Sequence, residues 1–276
     1  MPSQRMPLAD RTLVISGASR GIGLAIGLGA ARHGANVVLL AKTDQPHPKL
    51  PGTVHTAAAD IEAAGGKAAA VVGDVRKEDD VRRAVDVAVQ KFGGVDVCVN
   101  NASAIATEPT DQLPVKKFDL MADINIKGTF LLTQACLPHL RKSQNPHVLT
   151  IAPPLNMNPR WLGAHPAYTL SKYGMSLLSL GWAAEYAEAG IAFNCLWPQT
   201  YIATAAVANS PDGGKMLAAS RSPEIMADAA VEILSQPSRE ATGECHIDEA
   251  VLIAAGGYDL SRYGGGAQPM QDFFIG

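Results

Sequence analysis

The chain has 276 residues, 47% of them apolar, and a formal net charge of −3, enough sequence to bury one large core. Its 23 lysines and arginines are scattered, so the basic footprint of a nucleic-acid binder is missing and no such partner is expected. No apolar run reaches transmembrane length, and the opening Met1-Pro2-Ser3-Gln4-Arg5-Met6-Pro7 lacks the apolar core of a leader, so a cytoplasmic protein without a membrane span is expected.

In chain order, an apolar run at 12–16 leads into Gly17-Ala18-Ser19-Arg20-Gly21-Ile22-Gly23 and then an Ala-rich helical stretch to His33. Further strand-like runs fall at 36–40, 68–72, 95–99, 148–151, 191–196 and 245–247. Helical spacing covers 79–92 and 168–189, while 115–140 predicts one long helix or two. This alternation predicts an α/β protein with a parallel sheet wrapped by helices. Irregular stretches at 42–52, 153–166 and 198–223 follow strands, where a doubly wound sheet places its ligand crevice. Cys98, Cys136, Cys195 and Cys245 lie in or beside apolar segments without a C-x-x-C pair, which predicts buried reduced thiols and no metal site.

The first glycine cluster carries a phosphate-site argument. Glycine permits a tight turn and lets an anion approach the main chain, while the helix that follows offers free amides and its positive end. The spacing is G-x-x-x-G-x-G, which differs from the commoner G-x-G-x-x-G pattern; its place between a strand and a helix supplies the context. Tyr168 and Lys172 carry the acid–base argument. Four residues apart on a helix, they share a face, and an ammonium beside a phenol of pKa about 10 favours the phenolate. That pairing makes tyrosine usable for proton transfer.

Together, Gly17 to Gly23, Asn100-Asn101-Ala102, Asn125, and Tyr168 with Lys172 resemble, in order and spacing, the short-chain dehydrogenase/reductase family over nearly the whole chain. The resemblance implies a Rossmann-type doubly wound parallel sheet flanked by helices, a single domain over 1–276 with 257–276 as its C-terminal tail. It implies that Gly17, Ser19, Arg20, Gly21, Ile22 and Gly23 hold the cofactor phosphates, that Asp74 and Val75 contact adenine, and that Asn101 and Ala102 line the cofactor. Asp74 also suits an N-cap of the next helix. Tyr168 would move the proton, Lys172 would hold the nicotinamide ribose and depress the tyrosine pKa, and Asn125 would order a water leading to Lys172. Pro198 and Thr200 would lie beside the nicotinamide carboxamide, with Thr204 as another candidate hydroxyl. The resemblance also implies a homotetramer or homodimer, formed through the helices around 115–140 and 168–189.

Lys42 stands at the end of the second strand, where an acid would bind the 2′-hydroxyl of NAD, so NADP(H) is the expected cofactor, with Arg20 as a second cation and Asp44 as a complication. The family's serine after the fifth strand is absent: Pro153 or Leu155 takes its place, leaving Asn156 or Asn158 as donors. Losing such a donor typically costs about 10²–10³ in turnover. Leu155, Met157, Trp161, Leu162, Trp197, Tyr201, Ile202, Met216 and Leu217 suit either a lipophilic substrate or a packed lid or subunit contact. The expected activity interconverts a small lipophilic alcohol and carbonyl by hydride transfer; the alternative is a nucleotide-binding sensor or scaffold with little catalysis.

Overall fold

Strands buried on both faces need apolar residues throughout, and the short Val-, Leu- and Ala-rich runs of this chain meet that need. In a computed structural model they form β1 (Thr12–Ser16), β2 (Asn36–Ala41), β3 (Lys67–Val72), β4 (Val97–Asn100), β5 (His147–Ile151), β6 (Ala192–Trp197) and β7 (Cys245–Ile247). The structure describes residues 6–48, 50–210, 212–257 and 259–276. The opening residues 1–5, read above for a leader, lie outside these, as do Lys49, Pro211 and Tyr258 in the irregular stretches and tail.

All seven strands are parallel in one sheet of order β3-β2-β1-β4-β5-β6-β7. The order reverses between β1 and β4, which opens a crevice at their carboxyl ends. The helices are α1 (Gly21–Arg32), α2 (Val54–Ala63), α3 (Glu78–Phe92), α4 (Val115–Met121), α5 (Gly128–Leu140), α6 (Pro159–Ala164), α7 (Pro166–Glu185), α8 (Ala205–Ala208), α9 (Gly213–Ala218), α10 (Glu224–Leu234) and α11 (Asp248–Ala254). Alternate strand residues feed two cores. Leu13, Ile15, Val37 and Leu39 face α1, α2 and α10, whereas Val14, Val38, Leu40 and Cys98 face α3, α5 and α7.

Four departures from the expected pattern are local. The predicted 115–140 helix is continuous, but α4 and α5 are joined by a π-helical segment, Ala122–Lys127, whose wider turn aims Asn125 into the protein. The proline-rich stretch 153–166 contains α6, because Pro159 sits where a helix starts best and the Asn158 side chain accepts from Arg160 N. Residues 198–223 likewise hold α8 and α9. Helix α7 ends at Glu185, short of the predicted 189, and the chain turns through Gly190 at φ +67°.

Candidate active site

A crevice of about 600 Å³ runs along the carboxyl ends of β1, β2 and β4. Gly17, Ser19, Arg20, Gly21, Ile22, Lys42, Asp74, Val75, Asn101 and Ala102 all line it. Gly17 and Gly21 adopt φ +67° and +59°, a turn that L side chains resist. Helix α1 has no side-chain N-cap and no acid in its first turn, so its leading amides suit an anion. The residues therefore fit a dinucleotide. The nicotinamide dinucleotide would supply hydride chemistry, and the main chain here would hold its phosphates.

Gly23 does not line the crevice. It lies on α1 where an added Cβ would stand 2.4 Å from Asn101 Nδ2. That amide donates to Ser16 O at 2.8 Å and Gly17 O at 3.2 Å, tying the end of β4 to the glycine turn. Gly23→Ala is therefore expected to lower stability by about 1–3 kcal/mol through overpacking, as measured by urea denaturation.

Lys42 follows β2 with its side chain 58% exposed and Nζ 3.9 Å from Asp74 Oδ2. Asp74 does not cap α3, whose N-cap is Lys77. Its carboxylate is gripped by Arg76, with Nε 3.0 Å from both oxygens, and this bond first of all holds its pKa below the usual carboxylate value. Asp44 is tied to His55 Nε2 at 2.7 Å. Arg20 donates to the carbonyls of Pro51 at 2.9 Å and Gly52 at 2.8 Å, which pins the loop after β2 over the crevice.

The second half of the site lies on α7. Tyr168 and Lys172 are both buried there. Lys172 Nζ donates to Ile151 O at 2.6 Å, at the end of β5, and sits 5.0 Å from the centre of the Trp197 ring. Burial pulls its pKa down to about 7, against the opposing influence of Cys195 and Asp272. The phenol departs from expectation. Burial, then Asp272 and Tyr201, push its pKa up, and Lys172 is not among the influences. An aromatic roof that strips water from Tyr168 disfavours the phenolate, so the residue is held as an acid.

Asn125 is fully buried. Its Oδ1 accepts from Ala104 N at 2.7 Å, and Nδ2 donates to Ala104 O at 3.0 Å and Ser171 Oγ at 2.9 Å. Ser171 in turn donates to Tyr168 O at 2.8 Å. The carboxamide thus ties the loop after β4 to α7, with one acceptor position left for a water. Pro198 follows β6, and Thr200 pairs with Gln271 in an isolated bridge, its buried hydroxyl without a partner among the described residues. It is Thr204, not Thr200, that lines the crevice, its side chain packed against Gly21.

Leu155, Trp161, Leu162 and Trp197 gather with Tyr168 in one aromatic cluster, and Tyr201 joins through Phe273 at 5.7 Å. Met157 instead is 67% exposed, and Ile202 belongs to the core beneath α1. At the missing serine, Pro153 O accepts from Ser176 Oγ at 2.6 Å and Leu155 packs in the cluster. Asn158 caps α6, and Asn156 Nδ2 donates to Phe274 O at 3.2 Å and Gly276 O at 2.7 Å. Sequence reasoning gave no site role to Asp272, Phe273 and Phe274; the two phenylalanines lie about 70 to 115 residues along the chain from the rings they meet. Among the described residues, no group of His, Cys, Asp or Glu gathers as metal ligands, and no helix is long and apolar enough to cross a membrane.

A parallel sheet with a glycine crevice at its switch point, and a Tyr and Lys one helical turn apart beside it, defines a nicotinamide-dependent oxidoreductase fold. The chain belongs to the short chain dehydrogenase family, which matches residues 11–215. It is 53% identical over 270 residues to hydroxysteroid dehydrogenase-like protein 2 of Danio rerio, covering 97% of this chain and 64% of that protein. A crystal structure of a short chain dehydrogenase from Mycobacterium thermoresistibile matches at TM-score 0.92 and 49% identity over 98% of this chain and 96% of that one. Two more distant structures carry cofactors. L-sorbose reductase from Gluconobacter frateurii, with NADPH and L-sorbose, matches at TM-score 0.75 and 25% identity over 88% and 97% of the two chains. A short chain dehydrogenase from Mycobacterium paratuberculosis bound to NAD matches at 0.74 and 25% over 87% and 97%.

Proposed function

We propose that this chain is an NADP(H)-dependent oxidoreductase that interconverts a lipophilic alcohol and carbonyl, working best as a carbonyl reductase. The observation that carries the reading is the buried Tyr168–Lys172 pair under an aromatic roof, beside the glycine crevice. A phenol kept protonated is suited to giving its proton to the oxygen of a carbonyl as hydride reaches the carbon. Lys172 holds the nicotinamide ribose, while Asn125 fixes the turn of α7 that carries both groups. The aromatic lining favours a lipophilic substrate, a class that the name of the Danio rerio relative also suggests.

The NADP preference rests on Lys42 after β2, with Arg20 across the crevice. Turnover of NADPH and NADH is compared on a panel of aliphatic, acyl-thioester and steroid ketones. Wild type is expected to prefer NADPH, and Lys42→Asp to erode that preference by about 10-fold or more, the worth of a charge-assisted phosphate bond. An unchanged preference would sink the assignment. Exposed Val115 and Phe118 on α4, Phe130 on α5, and Leu170 and Leu177 on α7 support a homodimer or homotetramer. The free cysteines support a reducing, cytoplasmic setting.

A further inference from the structure

The segment 270–276 packs over Tyr168. Its main chain is fastened on one side by Tyr201 N to Met270 O at 2.9 Å and Asp272 N to Gln199 O at 3.1 Å. Phe273 and Phe274 then enter the aromatic cluster, each with its ring 6.3 Å from that of Tyr168. Phe274 also packs at a tilt against Tyr173 at 5.2 Å and Trp197 at 5.8 Å. Two side-chain donors of the chamber are filled by main-chain oxygens of this one segment. Trp197 Nε1 donates to Phe273 O at 2.9 Å, and Asn156 Nδ2 donates to Phe274 O and Gly276 O.

Asn156 stands in the loop where the family's serine is missing, so the amide donor nearest that place is occupied by main-chain oxygens of the chain itself, the Phe274 carbonyl among them. We propose that residues 272–276 are an internal stand-in for the substrate, displaced when a carbonyl compound enters, and that the freed Asn156 amide then donates to the substrate oxygen in place of the serine hydroxyl. The inference rests on the reductase reading for its substrate class.

The segment is also built to leave. Phe274 sits at φ +68°, in the left-handed region that a bulky side chain resists, and only its cage holds it there. Asp272 is carried in with it and buried, its pKa pushed up to about 7 first by burial and then by Asp248, with Lys172 opposing; release returns that carboxyl to water. An open cavity of about 480 Å³ lies against the outer side, walled by Leu155, Met157 and Ile247 and by Phe274 and Ile275. Phe274 thus separates this cavity from Tyr168.

The experiment uses the full chain. Hydrogen exchange of residues 270–276 is followed with NADP⁺ alone and with NADP⁺ plus 9,10-phenanthrenequinone, a bulky carbonyl probe. Displacement predicts faster exchange when the quinone is added; unchanged or slower exchange makes the segment a fixed wall and overturns the proposal. This readout needs no turnover, so it separates failure of the proposal from failure of the reductase reading, which would appear as no NADPH oxidation by any form. Turnover then tests Asn156. In Phe273→Ala/Phe274→Ala, kcat/KM for the quinone is expected to rise about 10-fold with NADPH affinity unchanged. Asn156→Asp loosens the segment yet removes the donor, so its exchange should quicken while kcat falls about 10²-fold. A rise in kcat instead would make Asn156 a mere anchor and overturn its part.

Discussion

Replacing Tyr168 with phenylalanine is expected to lower NADPH-dependent turnover by about 10²–10⁴-fold and to leave NADPH affinity within about twofold. The change removes one oxygen from a ring whose packing is otherwise satisfied by Phe273 and Phe274. The tyrosine hydroxyl has no hydrogen-bond partner among the described residues, so its loss leaves no donor or acceptor stranded. The substitution keeps the ring and its contacts, so the melting temperature should hold within a few degrees. The contrast between intact folding and lost turnover is what a proton donor predicts. Steady-state kinetics and a fluorescence titration of NADPH measure both halves. Equal rates in the two proteins would leave only nucleotide binding to explain the crevice.

The central parallel strands were legible because they are buried on both faces and so read as uninterrupted apolar runs, as in Leu13 to Ile15 and Val37 to Leu40, whereas the edge strands β3 and β7 are only partly buried. Their order was not legible from such runs; it entered through the family resemblance and is now explicit in the reversal between β1 and β4. The glycine turn was visible because its backbone needs particular residues. Tyr168 and Lys172 were visible because helical spacing alone puts them on one face. What spacing could not convey is the environment around them. The expected lowering of the tyrosine pKa rested on an adjacent ammonium, whereas the site is roofed by two phenylalanines from the far end of the chain. Segment 257–276 has no apolar periodicity, so nothing in it announces where Phe273 and Phe274 dock. Arg76 escaped for a related reason. Its grip on Asp74 depends on a turn after β3 that residue types alone do not specify.

Lys172→Met is expected to abolish turnover and yet raise the stability of the protein, measured without nucleotide at pH 6, by about 1–3 kcal/mol. Burial pulls the folded-state pKa of Lys172 down to about 7, against an ordinary value of 10.5. Below pH 7 both folded and unfolded chains carry the charge, and the full cost of burying it is present. Between pH 7 and 10.5 the unfolded chain binds the extra proton, so the wild-type protein gains stability from this group as pH rises, and above 10.5 the cost is gone. Methionine keeps the length of the side chain and removes the charge, although the bond to Ile151 O is lost and offsets part of the gain. The advantage of the variant should therefore be largest below pH 7 and shrink toward pH 10.5. Urea denaturation at pH 6 and pH 9.5 measures the difference. A loss of stability that is the same at both values would mean that the ammonium bond to the end of β5 outweighs the cost of the buried charge.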